Sequence, residues 1–419
     1  MAPVGQKGWR PLARGVCLPL GVPKPPLPVP HRAHDPSRET TAGRRRPDPL
    51  CNPIQGGVAR YALQLARALA RRVPLQGGRL DVLCRRSRYK RREMLPEIPG
   101  TRLRWIEKSW WPLVKGVDLV HGTDVRVPNW KGVAQVATLH DLFAHVSPDF
   151  ADEEFRAHRV ALYKDIQNRA ARIIAVSKRT KSDLCRYTDF PEDRVDVVHE
   201  GIEARFQPAT EKAIGEAQLR LGVKRPYLLY VGELSARKNL VRLVQAYSVG
   251  GFAKTHQLVL AGKASFKSES IQEEVRRLKL TDKVLWTGFV DDEYLPALYS
   301  GADAFCFPTL YEGFGLPVLE SMACGTAVVG GNVGAVPEIS AGHADLANPL
   351  DVDDIAFAIS RALDRNADQL RAARAHAGTF TWDRCAEETL AVYRRALGGP
   401  QHLVQEELET ASSASRSHA

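Results

Sequence analysis

The fold is decided by residues 302–325, which read ADAFCFPTLYEGFGLPVLESMACG. A β-rich run at 302–307 leads into a loop with two glycines, and the loop leads into a helical pattern that ends near Gly325. Pro317 suits the first turn of a helix, so the loop 312–315 is expected to meet a helix N-terminus with free amide groups. A strand, a glycine loop and a helix in this order are typical of parallel α/β sheets.

The same alternation of short β-rich runs and longer helical patterns extends from about residue 51 to residue 395. It predicts strands at 118–121, 133–139, 172–176, 195–199, 227–231, 257–261, 283–286, 302–307 and 327–329. The segment 207–223 has no strand pattern and separates two groups of strands. We therefore predict an α/β protein with two Rossmann-like, doubly wound parallel-sheet domains, whose ligand binds at the carboxyl ends of the strands.

Composition and strand pattern set the boundaries of the predicted regions. Residues 1–50 hold 11 of the 27 prolines and show neither a helical nor a strand period. They are predicted as a disordered Pro/Arg-rich extension, which a plain tail or a mis-assigned start codon explains better than a secretory signal broken by prolines. The other predicted regions are a first domain at 51–207, a second domain at 208–380, a last helix at 381–398 and a disordered tail at 399–419.

The formal net charge of +11 suggests an anionic partner, but the charge is concentrated in two places. Residues 1–50 carry nine Lys and Arg against three Asp and Glu, and residues 84–108 again carry nine against three. A nucleic-acid partner would rest on net charge alone, so no nucleic acid is expected. The stretch 84–108 is expected either to contact an anionic membrane or to be a solvated basic loop.

The seven cysteines are scattered and never spaced C-x-x-C, and no stretch of about 18 apolar residues occurs. These patterns argue against a disulfide framework, a zinc site and a membrane-spanning helix. We expect a cytoplasmic protein whose basic stretch provides any peripheral contact with the inner face of the membrane.

Two carboxylates flank the glycine loop at 313–315. Glu312 precedes the glycines, and Glu320 follows about one helical turn beyond them. Carboxylates accept hydrogen bonds from hydroxyl groups, and a glycine loop at a helix N-terminus suits phosphates, so the pattern favours a ligand such as a nucleotide sugar. The alternative is that both are helix-start carboxylates favoured by the helix dipole.

Two further loops stand before helical patterns. Arg237 and Lys238 follow the apolar run 227–231, and cations at a helix start oppose the helix dipole unless they meet an anion such as a diphosphate. Gly56 and Gly57 precede the amphipathic pattern at 58–72, where a loop without side chains lets a ligand approach the helix N-terminus. A solvated cation pair and a plain turn are the alternatives.

Several motifs in this order resemble the retaining GT-B glycosyltransferases of family 4. They are the E-x7-E pair Glu312 and Glu320, the loop from Gly232 to Lys238, the glycines 56 and 57, the run IIAVS at 173–177 and the run HEGI at 199–202. The resemblance covers roughly residues 52–395. It implies a GT-B fold with an acceptor domain at 51–207, a nucleotide-sugar domain at 208–380, and a closing helix at 381–398 that returns toward the first domain.

The resemblance implies how the donor is bound. Glu320 would bind the ribose, and Glu312 would contact hydroxyls of the transferred sugar. The backbone amides between them would lie against the sugar and the diphosphate; they belong to Gly313, Phe314, Gly315 and Leu316.

It also implies which residues act on the leaving group. Arg237 and Lys238 would neutralise the diphosphate with help from Gly56 and Gly57, and His140 would face the donor sugar and the acceptor. For His140 the alternative is a ring that merely satisfies local hydrogen bonds at a strand end.

The function implied is transfer of a hexose, such as mannose or glucose, with retention of configuration. The donor would be a nucleoside-diphosphate sugar and the acceptor a glycan or a lipid-linked acceptor in polysaccharide or envelope biosynthesis. No cofactor and no metal are expected, because fixed cations and helix amides stabilise charge on a leaving phosphate. The acidic runs 291–293 and 351–354 are expected to cap helices.

One departure from the family pattern bears on activity. Family members begin with a short strand shortly before the glycine pair, but residues 44–53 read RRRPDPLCNP, which a central strand does not tolerate. Either the first strand is missing or the N-terminus is not the natural one. The alternatives kept open are a nucleotide-sugar epimerase, a glucan synthase and a catalytically inactive binding subunit.

Overall fold

The computed structural model describes residues 16–19, 56–85, 97–106, 116–265 and 268–398. A first sheet has the strand order β3-β2-β1-β4-β5-β6-β7. Its strands are β1 (Val16–Pro19), β2 (Leu80–Arg85), β3 (Arg102–Ile106), β4 (Leu119–Gly122), β5 (Ala134–Leu139), β6 (Arg172–Ala175) and β7 (Val195–Val197).

A second sheet has the strand order β10-β9-β8-β11-β12-β13. Its strands are β8 (Tyr227–Val231), β9 (Gln257–Ala261), β10 (Val284–Gly288), β11 (Ala304–Phe307), β12 (Ala327–Gly331) and β13 (Asp345–Ala347). Every strand pair described in both sheets is parallel. Each order reverses direction once, beside β1 and beside β8, so the prediction of two doubly wound parallel sheets is confirmed.

Helices connect the strands of both sheets. With the first sheet go α1 (Gly57–Arg72), α2 (Phe143–Val146), α3 (Glu153–Gln167) and α4 (Lys178–Tyr187). With the second go α5 (Glu211–Leu221), α6 (Leu240–Val249), α7 (Glu269–Arg277), α8 (Leu295–Ser300), α9 (Leu316–Ala323), α10 (Val336–Ser340), α11 (Val352–Leu363) and α12 (Ala367–Ala377). The chain ends its described part in α13 (Trp382–Ala396).

The strands are apolar runs because helices cover both faces of a parallel sheet. In β11 all four residues are buried, and in β8 the first four are buried. One hydrophobic cluster fills the second domain. A second cluster packs α1 against the first sheet and includes Trp382, Leu390 and Tyr393 of α13, so the last helix belongs to the core of the first domain.

The strand β1 corrects the expectation that residues 1–50 form a disordered extension without a first strand. Val16 pairs with Leu80 of β2 on one side and with Leu119 of β4 on the other. Val16, Cys17 and Leu18 have no exposed surface. The sequence pattern did not predict β1 because this strand is only four residues long and ends in a proline. The rest of 1–50 and the tail 399–419 lie outside the described residues.

Two more strands lie where a basic stretch was expected. β2 and β3 include both ends of residues 84–108, and Arg104 of β3 lies 2.7 Å from the fully buried Asp81 of β2. Part of the positive charge is therefore neutralised inside the sheet. Most of the run from Arg85 to Arg92 lies outside the described residues.

Candidate active site

Two loops of the second sheet meet at its switch point. One follows β8 and carries Arg237 and Lys238, and the other follows β11 and carries Glu312. Since β8 and β11 are adjacent parallel strands, both loops leave the same edge of the sheet. The fold thus brings together two motifs that are 74 residues apart in the chain.

Glu312 pairs with both cations of the neighbouring loop. Its Oε2 lies 2.5 Å from Nζ of Lys238 and 3.3 Å from Nη1 of Arg237. Burial and the charge of Arg237 lower the pKa of Lys238. Burial on its own raises the pKa of Glu312, but the charges of Lys238 and Arg237 hold it below its ordinary value. Glu312 is the carboxylate that both cations contact, and Arg237 also interacts with the charges of Asp141 and Glu233.

The glycine loop is held by the first domain. The carbonyl of Gly313 accepts hydrogen bonds from Oγ of Ser177 at 2.7 Å and from Oγ1 of Thr180 at 3.0 Å, both at the start of α4. A Cβ on Gly313 would lie 1.8 Å from the carbonyl oxygen of His140. Only glycine permits this approach between the two domains.

The rest of the loop offers its backbone to a ligand. Phe314 and Leu316 are buried in the core of the second domain. Gly315 stands at the start of α9 with a φ of 111°, and it provides no side chain to cap the helix. The start of α9 therefore has no side-chain cap, which leaves the backbone there open to a ligand.

Glu320 meets a cation from the other domain. Its Oε1 lies 2.5 Å from Nη1 of Arg60 in α1, and its Oε2 accepts a hydrogen bond from Tyr299 at 3.1 Å. The carboxylate is almost fully buried, with 3% of the side chain exposed. Burial raises the pKa of Glu320, and the charge of Arg60 offsets only part of that rise.

Arg60 serves three carboxylates at once. Its other partners are Asp292 at 2.9 Å and Glu203 at 3.4 Å. Arg205 joins the same group, 3.0 Å from Asp292 and 2.9 Å from Glu203. The group ties α1 to the second domain beside Glu320.

Of the two acidic runs expected to cap helices, 351–354 does so and 291–293 does not. Asp351 caps α11 by accepting from the amides of Asp353 at 2.9 Å and Asp354 at 3.2 Å, as predicted. Asp292 does not cap α8, whose first residue follows Tyr294, but pairs with Arg60 and Arg205 of the first domain. The expectation of a helix cap at 291–293 was wrong because the ionic partners of Asp292 are remote in sequence.

Gly56 and Gly57 lie at the start of the helix that carries Arg60. Gly56 has a φ of 100°, and a Cβ on either glycine would meet no atom of the described residues within 4 Å. These glycines lie about one turn from Arg60, the partner of Glu320.

His140 follows β5, and its ring lies inside the first domain. Nδ1 is 3.1 Å from Oε1 of Glu200, and Nε2 is 2.9 Å from the carbonyl oxygen of Thr123. These are local hydrogen bonds of the kind that the sequence offered as the alternative. The carbonyl of His140, rather than its ring, lies against Gly313.

Sequence reasoning missed Arg60, Glu200 and Tyr299. Arg60 gave one signal: no acidic residue stands three or four positions away on its own helix, so its ionic partner had to come from elsewhere. Glu200 belongs to the run HEGI at 199–202, but the sequence assigned no role to it. Tyr299 gave no signal in the sequence.

The described residues contain no group of three or more side chains suited to a metal ion. The six cysteines in this part of the chain are free thiols. Across the described ranges, no helix has the length and apolar character needed to cross a membrane.

The chain matches two family models, Glycosyltransferase Family 4 over residues 55–206 and glycosyl transferases group 1 over residues 212–378. It is 28% identical over 376 residues to the O-antigen chain mannosyltransferase B of Escherichia coli, which covers 83% of this chain and 98% of that relative. It is 31% identical over 291 residues to the alpha-maltose-1-phosphate synthase of Mycolicibacterium smegmatis, which covers 63% of this chain and 73% of that relative.

A solved protein structure that contains UDP and glucose has a similar fold. HepE of Anabaena, crystallised with UDP and glucose, is 16% identical with a TM-score of 0.63, covering 90% of this chain and 99% of that one. At this identity the likeness concerns the fold alone. Taken with the two family models and the relatives, it shows that the chain is a GT-B glycosyltransferase and belongs to the group 1, family 4 type.

Proposed function

We propose that this glycosyltransferase is a retaining hexosyltransferase that uses a nucleoside-diphosphate sugar. The observation that carries the proposal is the buried cluster of Glu312, Arg237 and Lys238 beside the first amides of α9. A carboxylate for sugar hydroxyls and two cations for a diphosphate stand within one hydrogen-bonded group.

The chemistry follows from these charges. The acceptor hydroxyl forms a bond to the anomeric carbon, the bond from that carbon to the phosphate oxygen breaks, and the electron pair stays on the phosphate. The departing phosphate takes the proton of the acceptor hydroxyl on the same face of the sugar, which retains the configuration. Arg237 and Lys238 stabilise the growing negative charge without reorganising, since burial already fixes them.

Glu320 takes the ribose in this proposal. Its buried carboxylate lies at the other end of the E-x7-E loop, and each oxygen keeps a lone pair beyond its bond to Arg60 or Tyr299. Two ribose hydroxyls fit a carboxylate that accepts from several donors.

Mannose is the first candidate for the sugar, because the relative from Escherichia coli that matches over most of its length is named a mannosyltransferase. Glucose on UDP is the second, since HepE was crystallised with UDP and glucose. The name of the Escherichia coli relative also supports a growing glycan chain, free or lipid-linked, as acceptor.

The test measures release of nucleoside diphosphate from GDP-mannose, UDP-glucose and UDP-galactose, with and without a mannose oligosaccharide, by the full chain. We expect acceptor-dependent release with one donor and loss of release in Lys238→Ala. No release from a folded protein that still binds nucleotide would overturn the proposal in favour of a binding subunit. Conversion of the donor to an epimeric nucleotide sugar without net release of nucleoside diphosphate would favour an epimerase, and release only with a glucan primer would favour a glucan synthase.

Retention has its own readout. The anomeric proton of the product formed from an α-configured donor should show the α configuration in the proton NMR spectrum. A β product from the same donor would contradict the same-face mechanism.

Membrane contact through residues 84–108 is part of the proposal. Basic residues near an anionic surface contribute about 1 kcal/mol each. We expect co-sedimentation with vesicles rich in phosphatidylglycerol, and loss of it when the basic residues from Arg85 to Arg92 are neutralised. Binding that survives this change would favour a solvated basic loop.

A further inference from the structure

Both nitrogens of the His140 ring lie within hydrogen-bond distance of an oxygen atom. Nδ1 faces the carboxylate of Glu200 at 3.1 Å, and Nε2 faces the carbonyl oxygen of Thr123 at 2.9 Å. A carbonyl oxygen accepts only, and so does an ionised carboxylate. The ring therefore donates from Nε2, and with an ionised Glu200 it donates from Nδ1 as well, which makes it an imidazolium.

Glu200 is held where it is by close packing. It is 4% exposed, and a Cβ on the next residue, Gly201, would lie 2.3 Å from the backbone nitrogen of Trp382. Ile202 then bridges to Thr381. These contacts pin the segment that carries Glu200 to the start of α13, and Gly201 permits the approach.

Other titratable groups face this pair from each packed element. Asp124, after β4, adds a second carboxylate near the ring. His121 of β4 has its pKa lowered to about 3 by burial and stays neutral. Tyr61 of α1 packs edge-on against the ring with centroids 4.7 Å apart, and Cys385 of α13 faces Glu200.

These surroundings favour the charged ring. Burial alone lowers the pKa of His140, but the hydrogen bond and charge of Glu200, with a smaller part from Asp124, raise it above its ordinary value. The carboxyl group of Asp141, the next residue, also interacts electrostatically with His140.

We propose that Glu200 is a positioning residue that keeps His140 doubly protonated and in one orientation at the wall of the donor site. The inference rests on the proposed function for its catalytic meaning. The carbonyl of His140 lies against Gly313, so a ring locked at both nitrogens also fixes the backbone that bounds the glycine loop. The imidazolium and its paired carboxylate lie inside the first domain, behind the backbone that contacts Gly313.

The direct test is an NMR titration of the ring nitrogens in the full chain labelled with nitrogen-15, with the His140 signals assigned from His140→Gln. In the natural protein we expect His140 to stay protonated above pH 6.5, its ordinary midpoint. In Glu200→Gln the midpoint should fall by about one to three pH units. Glu200→Asp, which keeps the charge, should recover part of the shift.

A matched control exists at the boundary between the domains. Glu338 of α10 lies 2.7 Å from Nε2 of His199, so Glu338→Gln removes a similar pair without touching His140. The alkaline limb of the kcat profile should move to lower pH in Glu200→Gln, with the donor KM little changed, and should keep its position in Glu338→Gln.

Three results would overturn the inference. One is a midpoint near 6.5 for His140 in the natural protein, which needs no variant to fold. Another is an unchanged midpoint in Glu200→Gln, and the third is an alkaline limb that follows Glu338 instead. The titration requires no transferase activity, so its failure is distinct from a failure of the proposed reaction.

Discussion

The two carboxylates of the glycine loop draw their cations from different domains. Glu312 pairs with Arg237 and Lys238 of its own domain, whereas Glu320 pairs with Arg60 of the first domain. The ion pairs at the end proposed for sugar and diphosphate are therefore formed within one domain. The end assigned to the ribose is completed only when α1 stands against it.

The same difference sets the charge of each carboxylate. Two cations pair with Glu312, and its pKa is lowered. Arg60 is shared among Glu320, Asp292 and Glu203, and the pKa of Glu320 is raised by burial. A buried carboxylate with a shared cation is the easier of the two to neutralise.

The contrast between the two carboxylates predicts its largest effect at Lys238, one of the cations that pair with Glu312. Lys238→Ala should lower kcat about 10²–10³-fold with little change in donor affinity, because its charge acts on the leaving phosphate. Single-turnover rates and calorimetric binding of donor would separate the two quantities. Lys212→Ala, on the exposed side of α5, is the control and should change neither. A loss of affinity as large as the loss of rate would make Lys238 a binding residue.

Next in size is Glu320→Ala, which should raise the dissociation constant of the nucleotide sugar about 10–100-fold, the value of hydrogen bonds to a charged group. Calorimetry with UDP and GDP measures the change. Glu211→Ala removes an exposed carboxylate paired with Arg225 and should leave binding unaltered. Unchanged affinity in the first variant would contradict the ribose assignment.

Arg60→Ala should weaken nucleotide binding about fivefold to tenfold, or about 1–1.4 kcal/mol, because Glu320 loses the cation that holds it. In the background of Glu320→Ala the same substitution should add almost nothing. A double-mutant cycle on binding affinity checks this. Additive effects would show that Arg60 does not act through Glu320, and the contrast between the two carboxylates would lose its basis.

The opposite pKa directions predict how donor binding depends on pH. A raised pKa means that Glu320 takes up its proton above the ordinary value of 4.5, so affinity should fall as pH falls from 7 toward 5. Glu312, with its lowered pKa, stays ionised over this range. Binding of an intact nucleotide sugar is the suitable measurement, and Glu320→Gln should remove the dependence. A dependence that persists in this variant must come from another group.

Tyr299→Phe should have the smallest effect, a loss of donor affinity of up to about tenfold. A hydrogen bond to a carboxylate is worth about 1.5–3 kcal/mol, but this one affects the donor only through the position of Glu320. Tyr247→Phe, which loses a hydrogen bond to the carbonyl of His256 elsewhere in the same domain, is the matched control. Equal effects in the two variants would mean that Tyr299 acts on stability and not on Glu320.

Sequence reasoning was strongest where structure and chemistry are local. The strands β8 and β9 were predicted to the residue, because each is a short apolar run between turn signals. Glu312 and Glu320 were identified because one loop and one helix start carry both. Patterns within about a dozen residues are visible in a single sequence.

What sequence reasoning missed depends on distant contacts. Arg60 and Glu320 are 260 positions apart, and only the approach of the two domains joins them. His140 and Glu200 come from the ends of two different strands, 60 positions apart. A short strand such as β3 was hidden because its arginines looked like solvated charge, although Asp81 of the neighbouring strand pairs with them.

The central position of β1 matters for anyone who expresses this gene. The first family model begins at residue 55, so a gene shortened to the matched region would encode a sheet without the strand between β2 and β4. Strands are about 4.8 Å apart, which leaves a slot about 10 Å wide, lined by two rows of unpaired backbone groups. We expect such a fragment to aggregate, and its inactivity would carry no information about the catalytic residues.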